Sequence, residues 1–396
     1  MDRSDDGKEL SRRDFLLRAA AATAALGAAS GVKISEVSAA VASPSKSAWM
    51  KFRVLGRTKL QVSVLGMGTI KVENPAVLRA ALDKGINFFD TAECYQGGNS
   101  EVKVGKGLEG RRDEAIVATK WHTDGSTPAK ELLDSLDQSL KRLNMDHVDL
   151  VQIHGAESAR QVESDELWEA FTQAKKAGKA RFNGLSTHGN QVEVIRAAIK
   201  TGRYDAVLPA YNALIGERVG GVIAEAKKAD VGVIAMKVLQ PAHEGRSTND
   251  AFKGLEGNPF QRSIQWVVRD TNVATGIVDM PTFDEVAENC AAAAASPSRA
   301  DLDEFERAVA LVSAGSCHLC GACTGQCPQR VRVADIMRCR LYCHGYGDRQ
   351  RASELYRALP ASASAAACLS CRQCRVVCPW GVPVQGRLEE VHGVLA

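Results

Sequence analysis

The chain has 396 residues, enough for two or three domains that each bury a full core. With 45% hydrophobic residues, 24% charged residues and a formal net charge of +3, its composition excludes a disordered chain and gives no electrostatic reason to bind nucleic acid. Its longest apolar run, Ala19 to Ser30, is shorter than the roughly 20 residues that span a bilayer, which excludes an ordinary membrane anchor.

That first apolar run has informative neighbours. SRRDFLLRAA (11–20) sets two arginines and a Phe-Leu pair before it, and AVA (40–42) offers small residues for cleavage before Ser43. The order resembles a twin-arginine export signal over residues 1–42. The resemblance implies handling by the twin-arginine export machinery and release in folded form to the periplasm or cell exterior. It also implies no stable membrane insertion once the signal is removed. No Cys follows the run, which argues against a lipoprotein signal.

Between residues 50 and 295, short β-branched runs alternate with amphipathic stretches. Strand candidates are VSVLGMG (62–68), INFFDTA (86–92), AIVATK (115–120), VDLVQIH (148–154), KARFNGLST (179–187), AVLPAYN (206–212), VGVIAMK (231–237) and TGIVDM (275–280). A helical period follows each, as in PAKELLDSLDQSLKRL (128–143). Eight βα units over this length predict an α/β fold, a closed (β/α)8 TIM barrel. A doubly wound open sheet competes, but no Gly-x-Gly-x-x-Gly opens a helix after an early strand; VLGMGT comes closest and lacks the third glycine.

Barrel chemistry belongs at the C-terminal ends of the strands. Four polar residues fall there: Asp90 and Tyr95 after the second strand, Lys120 ending the third and His154 ending the fourth. A carbonyl reductase needs a general acid over the substrate oxygen, and an unassisted tyrosine, with a pKa near 10, is a weak donor. Lys120 supplies an assisting field, Asp90 a counter-charge for Lys120, and His154 a group that orients the carbonyl or relays the proton. Taken singly, a lysine at a strand end is usually solvated and a histidine at a barrel rim is usually structural.

DTAECYQGGNSE, IVATKW and DLVQIHG, in this order, resemble the catalytic segments of the aldo/keto reductase family, and the resemblance covers roughly residues 51–295. It implies a (β/α)8 barrel, a nicotinamide hydride donor, a small carbonyl substrate and a catalytic tetrad of Asp90, Tyr95, Lys120 and His154. MKFRVLGRTKLQVS (50–63) resembles the hairpin that closes the bottom of such barrels. On the nicotinamide side the match is thinner. Ser186 is followed by Thr187 where the family has Ser-Asn, and Leu208 stands where a Gln is usual. Asn212 is set beside Ser186 and Thr187 as a cofactor contact, and Glu288 and Asn289 match the adenine-contacting pair. Asp279 in IVDMPTF takes the place of a glycine; an acid near a 2′-phosphate opposes NADP(H) and tolerates NAD(H), so both remain open.

The tail, residues 300–396, carries CHLCGACTGQCP (317–328) and CLSCRQCRVVCP (368–379). Each reads Cys-x2-Cys-x2-Cys-x3-Cys-Pro, the run that bacterial ferredoxins use for 4Fe-4S clusters, with the fourth cysteine serving the other cluster. Two clusters are therefore expected, one on Cys317, Cys320, Cys323 and Cys378, the other on Cys368, Cys371, Cys374 and Cys327. Zinc is the alternative, but its thiolates usually come as two separated pairs. The stretch between the runs has helical periodicity, which predicts a mainly α-helical, ferredoxin-like domain. Cys339 and Cys343, one helical turn apart, read as small buried residues, with extra ligands or a redox pair as the alternative, and Cys94 and Cys290 as isolated packing residues.

The two ends of the sequence explain each other, because clusters assembled in a reducing cytoplasm need an export route for folded proteins. The expectation is an exported iron-sulfur oxidoreductase that reduces a small carbonyl compound with nicotinamide or cluster-derived electrons, with a redox partner protein as a candidate source or acceptor of those electrons. The competing expectation is an electron-transfer subunit whose barrel is an idle docking scaffold. A third is a metal-stabilised domain without redox function.

Overall fold

The structure, a computed structural model, describes residues 49–246, 251–371 and 373–396; the candidate export signal lies outside them. Its first element is an antiparallel hairpin, β1 (Phe52–Val54) and β2 (Gln61–Ser63). Eight parallel strands follow: β3 (Leu65–Gly68), β4 (Phe88–Asp90), β5 (Ile116–Trp121), β6 (Val148–Ile153), β7 (Ala180–Thr187), β8 (Ala206–Pro209), β9 (Gly232–Ala235) and β10 (Thr275–Asp279). They close a barrel in the order β10-β3-β4-β5-β6-β7-β8-β9. Covered on both faces, β5 and β6 are buried at every position, their polar residues Thr119, Lys120, Asp149 and Gln152 included.

The first strand candidate divides in two. Val62 and Ser63 belong to the hairpin, and the barrel strand starts only at Leu65. The hairpin shuts the barrel floor: Arg53 donates to the carbonyls of Val268, Asp270 and Val273 at 2.5 to 2.8 Å. Gly56, at φ +48, lies against Gly232, where a Cβ would come within 2.4 Å of the backbone nitrogen, so only glycine fits.

Helices coat the barrel: α1 (Ala76–Asp83), α2 (Asn99–Leu108), α3 (Ala129–Leu143), α4 (Ala159–Val162), α5 (Asp165–Lys176), α6 (Gln191–Thr201), α7 (Gly216–Lys228), α8 (Gln240–Arg246), α9 (Pro259–Arg269) and α10 (Phe283–Ala294). In α3 the buried Leu132, Leu136, Leu140 and Leu143 recur at helical spacing and form the inward stripe. Asn258 caps α9 ahead of a proline in its first turn, and Thr282 with Glu285 forms a capping box on α10.

The tail is helical, with α11 (Arg299–Ser313), α12 (Val333–Arg340), a π-helical turn at Leu341–Gly345, α13 (Arg349–Arg357) and α14 (Val384–Leu395). The start of the tail at residue 300 does not mark a break in packing. Phe305 and Val309 of α11 join the barrel core, Phe305 stacking on Phe252, and Glu306 accepts from Trp266 Nε1 at 2.8 Å. Burying one such phenylalanine contributes roughly 1.5–3 kcal/mol, so α11 is part of the barrel's stability. A separate core holds the other tail helices around Ile336, Met337, Ala352, Tyr356, Leu388 and Val391, and buried Cys339 is part of it. Among the described residues no helix is long and apolar enough to cross a membrane.

Candidate active site

Strand register brings the predicted tetrad to one rim. Asp90, the last residue of β4, stands opposite Gly68 and Ala118, and Lys120 stands opposite Gln152. Lys120 Nζ donates to Asp90 Oδ2 and, at 2.7 Å, to the Thr91 carbonyl; Gln152 Nε2 donates to Asp90 Oδ1 at 3.1 Å. All three side chains are buried. Burial pushes the Asp90 carboxyl up, against the pull of Lys120 and of the two hydrogen bonds. Gln152 was missed in the sequence. Its signal was the alternation of VDLVQIH, which puts Gln152 on the face of His154.

Tyr95 sits just after β4 in a tight turn. Gln96, in the left-handed region at φ 52, pins that turn by donating to Ile70 O at 2.9 Å and Val72 O at 3.2 Å. The Tyr95 ring lies 4.9 Å from Lys120 Nζ and meets the His154 ring edge-on at 5.6 Å. Burial, then the Asp90 charge, pushes the Tyr95 phenol well above its ordinary value. Burial, then the Lys120 charge, holds His154 well below 6.5. At neutral pH the site therefore presents a protonated phenol beside a neutral imidazole. Cys94 is no isolated packing residue: its Sγ lies 3.6 Å from His154 Nδ1, because the turn after β4 folds it onto the end of β6.

The predicted nicotinamide contacts are engaged within the protein. Ser186 Oγ accepts from Gly155 N at 2.9 Å and donates to Ile153 O at 3.3 Å, and Thr187 Oγ1 donates to Gly189 O at 2.6 Å. The Asn212 amide donates to Lys237 O at 2.9 Å and accepts from Leu214 N at 2.9 Å. All three are buried. Asn289 is buried on α10 beside exposed Glu288. Next to Thr187, His188 Nδ1 is buried with no hydrogen-bond partner in the protein. Asp279 turns toward β3, where its Oδ1 accepts from Ile70 N at 3.2 Å, and burial pushes it up to about 6.

The tail contributes to this rim, which no local pattern foretold. Lys237 Nζ, at the end of the run containing β9, lies 4.0 Å from the Tyr342 ring centroid and 4.8 Å from that of Tyr346. Lys71 pairs with Asp348 at 3.8 Å, and the Arg351 charge acts on Cys94. Lys237 did leave a trace: VGVIAMK ends in lysine just as AIVATK does.

The eight tail cysteines gather across the two runs. Cys327, Cys368, Cys371 and Cys374 line one recess with Pro328, Val331 and Val333. Burial, with Cys320 and Cys378 nearby, pushes the Cys323 thiol up to about 11; burial, with Cys327, Cys374 and Cys371 nearby, does the same to Cys368. Among the described residues no three His, Cys, Asp or Glu side chains close on a point as they do around one metal ion. The first run touches the barrel through Gln240, which donates to Cys317 O at 2.9 Å, and Arg218, which donates to His318 O at 3.2 Å.

The aldo/keto reductase family pattern matches residues 65–262. The uncharacterized oxidoreductase YqkF of Bacillus subtilis is 29% identical over 285 residues, 62% of this chain and 91% of that protein. L-galactose dehydrogenase of Arabidopsis thaliana is 29% identical over 284 residues, 61% of this chain and 88% of its own. Among solved structures, aldo-keto reductase AKR11C1 of Bacillus halodurans shares the fold, with a TM-score of 0.58 at 24% identity over 65% of this chain and 96% of that one. With the rim residues in place on an eight-stranded parallel barrel, the chain belongs to the aldo/keto reductase family and is an oxidoreductase.

Proposed function

We propose that the protein is an exported iron-sulfur oxidoreductase that reduces a small carbonyl compound at the barrel rim. The observation that carries this reading is the buried Lys120–Asp90 pair beneath the Tyr95 and His154 rings. A bound reduced nicotinamide supplies hydride to the carbonyl carbon. Tyr95 then gives its phenolic proton to the carbonyl oxygen, and the Lys120 charge stabilises the phenolate left behind. A phenol whose pKa is raised holds its proton until the oxygen becomes alkoxide-like, which suits a donor that acts late. Neutral His154 orients the oxygen. His188 Nδ1, unpartnered beside Ser186 and Thr187, fits a polar group such as a nicotinamide carboxamide, and the acid Asp279 makes NAD(H) the better match than NADP(H).

The tail cysteines are the proposed ligands of two 4Fe-4S clusters: Cys317, Cys320, Cys323 and Cys378 for one, Cys368, Cys371, Cys374 and Cys327 for the other. Support comes from the recess in which Cys327 of the first run joins Cys368, Cys371 and Cys374 of the second. A cubane spreads its four ligands more widely than a single ion does. Export in folded form rests on the arginine pair and apolar run of the first 42 residues.

The test is anaerobic turnover of a panel of short aldehydes by the cluster-loaded protein and its Tyr95→Phe variant. Loss of turnover with cluster content intact supports the assigned acid; retained turnover removes it. A second reading, an electron-transfer subunit with an idle barrel, has one observation on its side: Ser186, Thr187 and Asn212 are already engaged inside the protein. It requires that neither NADH nor NADPH binds.

A further inference from the structure

Two features outside the tetrad meet at the same rim. Lys237 holds its backbone at φ +60, the left-handed region that lysine rarely adopts, and Asn212 Nδ2 and Gln240 N both fasten its carbonyl, at 2.9 and 3.0 Å. Tyr342 sits on the π-helical turn that prolongs α12, a distortion that occurs mostly at functional sites. The strained lysine and the distorted turn then meet each other, with Nζ 4.0 Å from the phenol ring centroid. Together they set one cation against two phenol rings, nearest to Tyr342 at 4.0 Å and then Tyr346 at 4.8 Å.

We propose that Tyr342, held by Lys237, is a second proton-handling phenol of the active site, so that the tail supplies a working part of the barrel's chemistry. The inference rests on the carbonyl-reductase reading. The arrangement repeats the barrel's own Lys120–Tyr95 pair, whose Nζ lies 4.9 Å from its ring. Charged and titratable groups surround Tyr342: Lys237 from the barrel rim, Tyr95 from the turn after β4, and Arg338, Arg351 and Tyr346 from the tail. Although burial opposes ionisation of Tyr342, Lys237, Arg338 and Arg351 outweigh it and bring the phenol below its ordinary value of 10. Tyr95, by contrast, is pushed up, and the charge of Tyr342 is among the causes.

The proton balance is simple. Tyr95 loses its proton to the new alkoxide, the Tyr342 phenol returns one to the Tyr95 phenolate, and the Tyr342 phenolate, paired with Lys237, takes one from solvent. Each reduction consumes one proton from solution. The O–H bond that breaks at Tyr342 is matched by the one that forms at Tyr95.

Two measurements on the full, cluster-loaded chain test this. The first is a pH titration of the six tyrosines by NMR of 13Cζ-labelled protein. One resonance, absent in Tyr342→Phe, is expected to ionise below pH 10, whereas Tyr95, Tyr204, Tyr211, Tyr346 and Tyr356 are all displaced upward. Titration of Tyr342 at or above 10 overturns the proposal whether or not any carbonyl is reduced. The second is the pH profile of kcat for aldehyde reduction. The wild type should lose activity as pH rises through the Tyr342 value; Tyr342→Phe should lack that limb and be slower by about tenfold or more at neutral pH, at the scale of a lost proton transfer. Lys237→Met, which keeps the phenol, should move the limb to higher pH, and Lys237→Arg should restore it. An unchanged profile in both Tyr342→Phe and Lys237→Met overturns the proposal. If the wild type reduces no carbonyl at all, the functional reading fails, and with it the role of Tyr342 in reduction.

Discussion

The two lysine–tyrosine pairs of the rim differ in where their members come from. Lys120 stands near the end of β5 and Tyr95 in the turn after neighbouring β4, and the lysine is neutralised by Asp90, buried with it. Lys237 and Tyr342 come from the barrel and from the tail, and among the described residues Lys237 has no carboxylate within ion-pair distance. The difference teaches that register fixes only the barrel lysine, Lys120, whereas each phenol depends on local distortion: Tyr95 on the turn at left-handed Gln96, and Tyr342 on a π-turn that meets a left-handed Lys237.

Substitution separates the pairs, and the largest effect falls on the first. Lys120→Met should abolish most carbonyl turnover, by about a hundredfold or more. It also strands the Asp90 carboxylate in the core, so thermal denaturation should show a loss of about 3–5 kcal/mol. Lys237→Met strands no partner and should cost no more than about 2 kcal/mol, the upper scale of a desolvated cation–π contact. Equal losses in the two variants would remove the distinction between them.

A cysteine variant sharpens the contrast between barrel and tail. Cys323→Ala should lower bound iron by about half, one cluster of the proposed two, while the barrel's melting transition stays in place. Iron content equal to that of the wild type would show that the ligand assignment is wrong.

Smaller effects probe the barrel pair from within. Gln152→Leu deletes one hydrogen bond to a charged carboxylate and should destabilise by about 1.5–3 kcal/mol, read from denaturant midpoints. Least conspicuous is the pH behaviour of the rim histidines. His154 and His188 are both held well below 6.5, by burial first, and then by Lys120 for His154 and by Arg338 for His188. Their ring-proton NMR signals should therefore stay at the neutral position as pH falls through 6.5. Because the unfolded chain binds those protons at 6.5 and the folded chain does not, these two groups make the fold less stable as pH drops below that value.

What was legible in the sequence follows the same division. Strand ends of a parallel barrel share one rim, so Asp90, Lys120 and His154 could be placed together from three short runs, and Gln152 was available from the period of two. Lys237 was available as well, as a second lysine ending a β-branched run. Tyr342 was not, because helical periodicity in the tail says nothing about which surface the helix meets, and a π-turn leaves no periodic signature. The continuity of packing across residue 300 was hidden for a related reason. The pattern of α11 declares a helix, but only the contact of Phe305 with Phe252 shows that its core is the barrel's. Internal engagement of Ser186, Thr187 and Asn212 is likewise a matter of partners distant in space or of loop geometry.

The most direct test of the central claim, that the barrel rim reduces carbonyls with nicotinamide or cluster-derived electrons, is an anaerobic titration of the purified protein with NADH and NADPH. Nicotinamide fluorescence reports binding, and visible iron-sulfur absorption reports reduction. The account expects binding, with NADH favoured, followed by aldehyde-dependent oxidation and bleaching of the cluster absorption. Clusters that stay oxidised while neither nucleotide binds would contradict it and leave the barrel as a scaffold.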